Sequence, residues 1–416
     1  MTPEVKERIE QIRHGNVPEG YKRTRKGIIP NEWSVQQIRD LAFISSGSTP
    51  NRGNPAYWNG DIPWVTTGEL EGGYIKSTNE SITSQALSET SLRVYPAGTL
   101  LMAMYGQGKT RGTVAKLGID ATVNQACAAI TVDAGVSEFI FYALQNAYND
   151  IRKLSNTGNQ ENLNADIIKT FSLICPPIAE QQGIAEILTT QDKAIELKEK
   201  LLEEKQRQKK YLMQQLLTGK KRLPGFDGEW THVRANQIFK NVTDKKHDGT
   251  LEVLSATQDR GIIPRSQVDI DIKYAEESLT GYKKVVKGNF VISLRSFQGG
   301  IEYSEYTGIV SPAYTVLTSI CPIEDNYYKQ FFKSADYINR LNIAVYGIRD
   351  GKQISYDDFG RIKIPYPPLD EQKAIATVLA TADKEIEILK QTIEQEKQKK
   401  KALMQLLLTG IVRVSV

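Results

Sequence analysis

Metal ligands and thiols are scarce in this chain. Its 416 residues include three cysteines, Cys127, Cys175 and Cys321, and three histidines, His14, His232 and His247. None of these stand at metal-ligand spacing, so neither a zinc site nor a disulfide framework is expected, and a reducing cytoplasm fits. Long apolar runs are missing too. No stretch reaches the roughly 18 apolar residues of a membrane span, and the N-terminus Met1-Thr2-Pro3-Glu4-Val5-Lys6 lacks the apolar stretch of a signal peptide. A cytoplasmic protein without a membrane partner is the expectation. Strong charge bias is also absent: the net charge is +4. Residues 16–175 are balanced between basic and acidic side chains, and 220–366 are slightly basic. That balance permits nucleic-acid binding without signalling it. A chain this long exceeds one ordinary core, so two or more domains are expected.

What is present is a duplication. Pro176-Pro177-Ile178-Ala179-Glu180-Gln181 through Leu216-Leu217-Thr218-Gly219 returns as Pro367-Pro368-Leu369-Asp370-Glu371-Gln372 through Leu407-Leu408-Thr409-Gly410. The offset is 191 residues from end to end, without a gap, and about half of the aligned positions are identical. Two copies are too few for a solenoid and predict pseudo-twofold symmetry.

Each copy reads as one long helix after its Pro-Pro pair. The apolar positions Ile184, Leu188, Ile195, Leu202, Leu212 and Leu216 recur as Ile375, Leu379, Ile386, Ile393, Leu403 and Leu407 along one stripe, joined by Ala382 and Leu389. A narrow stripe at a 3.5-residue period with polar flanks predicts a coiled-coil seam. About 38–40 helical residues at ~1.5 Å each make a rod of about 60 Å. Gly219 and Gly410 stand where a helix end takes a left-handed residue. Gln191, Lys198, Lys205, Lys209, Glu396 and Lys400 are polar at seam positions. They either set register or mark a frayed half of the rod.

The chain therefore divides into an N-terminal helix (1–15), a first globular segment (16–175), a first helical spacer (176–219), a second globular segment (220–366) and a second spacer (367–416). The globular segments carry short strand-like runs such as Gly98–Met104 and Asn289–Leu294 between turn residues. They are weakly parallel: Glu32-Trp33 matches Glu229-Trp230, and Gly158-Asn159-Gln160 resembles Gly351-Lys352-Gln353. Similar helices with divergent globular parts suggest that each globular part reads something different.

Several motifs mimic catalytic chemistry. Ala103-Met104-Tyr105-Gly106-Gln107-Gly108-Lys109-Thr110 resembles a phosphate loop, but a turn and a strand are expected after it instead of the required helix. Glu371-Gln372-Lys373 resembles half a nuclease site, yet the first copy reads Glu180-Gln181-Gln182. The acidic residues are better explained as helix capping. The Pro-Pro pairs lack the flanking residues of an amino-methyltransferase motif. A non-catalytic chain without a cofactor is expected.

Together the pieces resemble the specificity subunit of a Type I restriction–modification system, over nearly the whole chain. The resemblance rests on Ile28-Ile29-Pro30-Asn31-Glu32-Trp33, Ser48-Thr49-Pro50, Tyr57 through Val65, Ser311-Pro312-Ala313-Tyr314, and the duplicated spacers. The second segment departs from it by lacking the Tyr-Trp-Asn-Gly-Asp-Ile-Pro-Trp run. The resemblance implies an α+β fold with two target-recognition domains separated by an antiparallel coiled coil. Each domain would read one half of a bipartite site on double-stranded DNA. The helices would set the gap and dock two adenine-N6 methyltransferase (modification) subunits, which restriction subunits join. Methyl donor and ATP would belong to those partners.

Arg or Lys suits guanine and Asn or Gln suits adenine, and glycine lets a loop approach closely. Loop residues of this kind are Arg52, Gln107, Lys109, Arg111, Asn159 and Gln160 in the first domain. In the second they are Arg260, Arg295, Ser296, Gln298, Lys352 and Gln353. Two rival readings are a protein-binding scaffold built on a coiled-coil rod, and a phosphate-handling enzyme using Gly106–Thr110.

Overall fold

A computed structural model describes residues 2–106, 108–154, 162–268, 276–344 and 354–414. The chain forms two compact units, Met1–Leu197 with Ile393–Val416, and Lys198–Thr392. The spacers are single helices, Ile178–Leu216 with 39 residues and Leu369–Leu408 with 40. Each unit thus owns part of both helices.

The first unit is built on a five-stranded sheet in the order Ala42–Ser46, Cys127–Val132, Leu100–Ala103, Val114–Leu117 and Tyr74–Ile75. Its central strands are buried along their length, so they read as continuous apolar runs instead of alternating ones. Helix Ser137–Asn146 sends Phe139, Ile140, Phe141 and Leu144 into the core. Ile184, Leu188, Leu407 and Leu408 join the same cluster. Helix Pro3–Arg13 ends near Gly15 and donates from Arg8 to the Ile411 carbonyl at 2.9 Å.

The second unit has a four-stranded antiparallel sheet in the order Phe239–Val242, Thr315–Ser319, Phe290–Ile292 and Glu302–Tyr303. Its core is aromatic, with Phe239, Phe290, Tyr327, Tyr328, Phe331, Phe332 and Tyr337 fully buried. Ile375, Leu379, Leu216 and Leu217 enter it. These four are the 191-residue counterparts of the leucines and isoleucine that enter the first core. The duplication therefore sets which ends of the helices feed each core.

Within each unit the helices run antiparallel. In the first, Gln191 donates to the Glu396 carboxylate at 2.8 Å and Lys400 pairs with Asp192 at 2.6 Å. In the second, Lys205 meets Glu385 at 2.7 Å and Lys209 meets Asp383 at 2.5 Å. Residue numbers fall along one helix as they rise along the other. Gln191, Lys205, Lys209, Glu396 and Lys400 therefore pair across the helices, as the register-setting alternative requires. Gly219 and Gly410 both hold a left-handed backbone, at φ +70° and +73°, as the helix ends required.

Candidate nucleic-acid interface

One arrangement recurs at the root of each globular part. In the first unit the strand Ser34–Gln37 pairs with Ser172–Cys175, and in the second Thr231–Arg234 pairs with Lys363–Tyr366. Beside these pairs, the Trp33 indole donates to Glu180 at 2.9 Å and Trp230 donates to Glu371 at 2.8 Å. Arg413 and Arg222 supply bidentate guanidinium contacts to the same two carboxylates. The adjacent glutamines also match. Gln181 accepts from Val136 N and Gln372 from Glu324 N, both at 2.9 Å, just before a helix in each globular part.

Glu180 and Glu371 stand in the first turns of their helices, as expected, but placement at a helix start does not account for their burial. Both are essentially fully buried and spend their oxygens on tryptophan and arginine from distant segments. A buried carboxylate needs a charged partner more than it needs a helix dipole. The Trp-Glu-Arg sets and the Glu-Gln pairs form a frame built twice in this chain, and the loops mounted on it differ.

In the first unit, Arg52 lies in the loop after strand Ala42–Ser46. Its guanidinium forks onto Glu80 and stacks over the rings of Trp58 and Trp64, at 4.0 and 4.9 Å from their centroids. The two indoles meet edge-on at 5.1 Å. Trp64 donates to the Ser48 carbonyl at 3.0 Å and Trp58 to the Asn51 carbonyl at 3.2 Å. The run Tyr57–Val65 thus fixes the path of residues 48–52. Asn59, with φ 61°, is the one non-glycine residue in left-handed backbone among the described residues. It stands in the irregular stretch where the register of strand Trp58–Val65 against Glu80–Ile82 shifts.

The glycine-rich stretch after Ala103 turns and enters strand Val114–Leu117, which makes it a hairpin and leaves no helix to meet a nucleotide phosphate. Lys109 is exposed at its tip. The tip is held from behind: Tyr148 donates to the Lys109 carbonyl at 2.7 Å and Arg152 to the Gly108 carbonyl at 2.8 Å. Arg111 is only 7% exposed, so its side chain sits under the hairpin. Tyr105, 39% exposed on the same loop, carries an aromatic face that the sequence reading passed over.

In the second unit, Arg260 stands on the turn of hairpin Leu254–Thr257/Gly261–Pro264, half exposed, and donates to the Gln267 carbonyl at 3.1 Å. Arg295 and Gln298 are exposed after strand Phe290–Ile292, Arg295 at the N-cap of the single-turn helix Ser296–Gly299 and Gln298 within it. Ser296 is buried, and its hydroxyl accepts from Ser293 N at 2.8 Å. It shapes the turn from inside. A β-carbon on Gly299 would come within 2.9 Å of the Gln258 side chain, so the two turns are in contact. The structure thus sets the turn that carries Arg260 beside the segment that carries Arg295 and Gln298.

Gln107, Asn159, Gln160, Lys352 and Gln353 lie outside the described residues. Sequence reasoning missed Lys333, Glu302, Arg222 and Arg413. The last two had a signal: the 191-residue offset extends from Gly219 and Gly410 to these arginines.

A family model described as the Type I restriction modification DNA specificity domain matches residues 30–206 and again 228–398. The MjaIX specificity subunit of Methanocaldococcus jannaschii is 34% identical over 186 residues, which is 43% of this chain and 42% of that protein. The putative MjaX specificity subunit of the same organism is 26% identical over 95% of this chain and 97% of its own length. Among solved structures, the Type I S subunit of M. genitalium shares the fold with a TM-score of 0.54 at 14% identity, over 90% of this chain and 96% of that one. A chain from a study of type I R-M complex assembly and conformational transition reaches 0.59 at 16% identity, over 92% and 99%. With both halves matched separately by the same domain, and the Trp-Glu-Arg frame built twice, this chain belongs to the Type I restriction–modification DNA specificity family.

Proposed function

We propose that each unit reads one half of a bipartite, asymmetric double-stranded DNA site. The long helices set the unspecified gap and dock two adenine-N6 methyltransferase subunits, with restriction subunits joining that core in the cytoplasm. The chain itself is non-catalytic in this reading. Methyl transfer and ATP-driven cleavage reside in the partners, and the target adenine is turned out of the duplex into a partner's pocket. A rod of about 60 Å is long enough to separate two readers by one DNA turn, about 34–36 Å.

The observation that carries this reading is the contrast between frame and loops. The frame residues recur at equivalent places, whereas the turns bearing Arg52 and Lys109 share no pattern with those bearing Arg260, Arg295 and Gln298. Two readers that must recognise different half-sites need the same support and different tips. The near-neutral charge fits a reader that gains much of its non-specific affinity from partner subunits.

Co-expression with the cognate modification subunit, followed by mapping of N6-methyladenine across the host DNA, tests it. A split motif with a constant gap is expected. A stable complex that leaves the DNA unmethylated would favour the protein-binding scaffold.

A further inference from the structure

Lys333 is rooted between two buried residues, Phe332 and Ser334. Phe332 packs against Phe331 and Tyr337, at 5.7 and 4.9 Å between ring centroids. The base of this lysine is therefore anchored in the aromatic core of the second unit. Its ammonium group reaches three acceptors on three segments. It donates to the Gln258 carbonyl at 3.2 Å, to the Gly299 carbonyl at 2.9 Å, and to the Glu302 carboxylate. An ammonium has three N–H donors, and here each has an acceptor.

Those acceptors identify what the lysine joins. Gln258 belongs to the turn that carries Arg260, and Gly299 to the turn that carries Arg295 and Gln298. Glu302 is 3% exposed at its side chain and Lys333 is 25% exposed, so the carboxylate is buried beneath a lysine that keeps part of its side chain in water. Glycines allow the close fit. Gly261 and Gly300 adopt φ +76° and +81°, with the Tyr303 and Phe332 carbonyls against them. With its three donors occupied, Lys333 has little left to offer a phosphate.

We propose that Lys333, seated on Glu302, is a positioning residue that locks the turns at 257–261 and 293–300 into one base-reading surface. This rests on the reading of the second unit as a DNA half-site reader. The consequence is selective. Losing the clamp relaxes base preference in the half-site read by this unit and leaves the other half-site, and assembly with the modification subunits, as they were.

The test is the double variant Glu302→Leu/Lys333→Met, because removing both members of the pair leaves no buried charge stranded. It is co-expressed with the modification subunit, and methylation is counted at sites carrying single-base changes. Loss of roughly tenfold in discrimination at positions of one half-site is expected, the scale of one well-formed base contact. The Lys333→Arg variant, which keeps donors for the two carbonyls, should retain the wild-type preference. Unchanged preference in the double variant, or equal loss in both half-sites, overturns the clamp.

A wild-type chain that yields no split motif overturns the DNA-reading proposal instead. The clamp is then judged by amide hydrogen exchange on the full-length chain. Residues 257–261 and 293–300 must exchange faster together in the double variant and at the wild-type rate in Lys333→Arg. Unaltered exchange at either turn refutes it.

Discussion

Arg413 grips Glu180 through two hydrogen bonds, at 2.7 and 2.9 Å, across 233 positions of sequence. The same guanidinium reaches Glu32 at 3.0 Å. The segment after the last helix therefore closes the first globular part at the root of the first helix. Arg222, the repeat counterpart, does the same for Glu371 in the second unit at 2.6 and 2.7 Å.

Breaking either pair should loosen one unit only. Stranding a buried carboxylate costs about 3–5 kcal/mol, and the partial exposure of Arg413 puts Arg413→Met toward the lower end of that range. Amide hydrogen exchange should show faster opening of residues in 2–197 for Arg413→Met, and of residues in 198–392 for Arg222→Met. Equal acceleration in both units would contradict the separate closure described here.

The helix seam holds a repeated ion pair, Lys209 with Asp383 and Lys400 with Asp192. Both are partly exposed, so each contributes about 0.5–1 kcal/mol. Lys209→Glu should destabilise the second unit by a similar amount or slightly more through repulsion. Adding Asp383→Lys should recover most of the loss in a double-mutant cycle by urea unfolding. A coupling energy indistinguishable from zero would mean that the pair does not help set register.

Two helix ends with the same backbone should respond differently to alanine. A left-handed alanine costs about 1 kcal/mol relative to glycine. At Gly219 the added carbon meets the Trp230 ring at 3.0 Å, whereas at Gly410 it meets the Pro30 ring at 2.5 Å and Trp33 at 3.2 Å. Gly410→Ala should therefore lower the melting temperature more than Gly219→Ala. The reverse order would show that Pro30 yields easily.

Burial pushes the Glu302 carboxyl up to about 7 from the ordinary 4.5, with Lys333 pulling down and Asp259 adding to the rise. Across that interval the native state keeps a proton that the unfolded chain has released. Its stability contribution is therefore greatest at low pH, falls as pH rises toward 7, and levels off above. Glu302→Gln lacks this dependence. Relative to the variant, the wild type should lose thermal stability between pH 5 and pH 8. A difference that is constant with pH, or that grows the other way, would remove the titration from this site.

The exposed pair Arg295 and Gln298 should act on one half-site. Arg295→Ala with Gln298→Ala is expected to weaken or relax reading there by about 1–3 kcal/mol per lost base contact. Lys109→Ala, if it contacts phosphate, should instead weaken binding to all sequences and shallow the salt dependence by about one charge. Methylation mapping and binding titrations at two salt concentrations separate these behaviours.

Much of the architecture was written locally. The apolar stripe from Ile375 to Leu407, the Pro-Pro entries and the Thr-Gly exits are short-range patterns, and the duplication made them legible twice. Helix extent, the left-handed Gly219 and Gly410, the hairpin after Ala103 and the exposure of Arg295 and Gln298 follow from such patterns. The burial of Arg111 and Ser296 does not, because a polar residue in a glycine-rich turn has the same sequence signature whether it points outward or supports the turn from beneath.

Tertiary structure alone decided the contacts that hold the readers in place. Nothing near Lys333 marks it as a clamp, since its acceptors are two backbone carbonyls and a carboxylate whose positions depend on the folded sheet. Nor does Glu180 reveal that its partners are Trp33 and Arg413 instead of its own helix terminus. Periodicity records which face of an element will be buried. The pairing of a buried charge is settled only when distant segments meet and each must find a partner away from water.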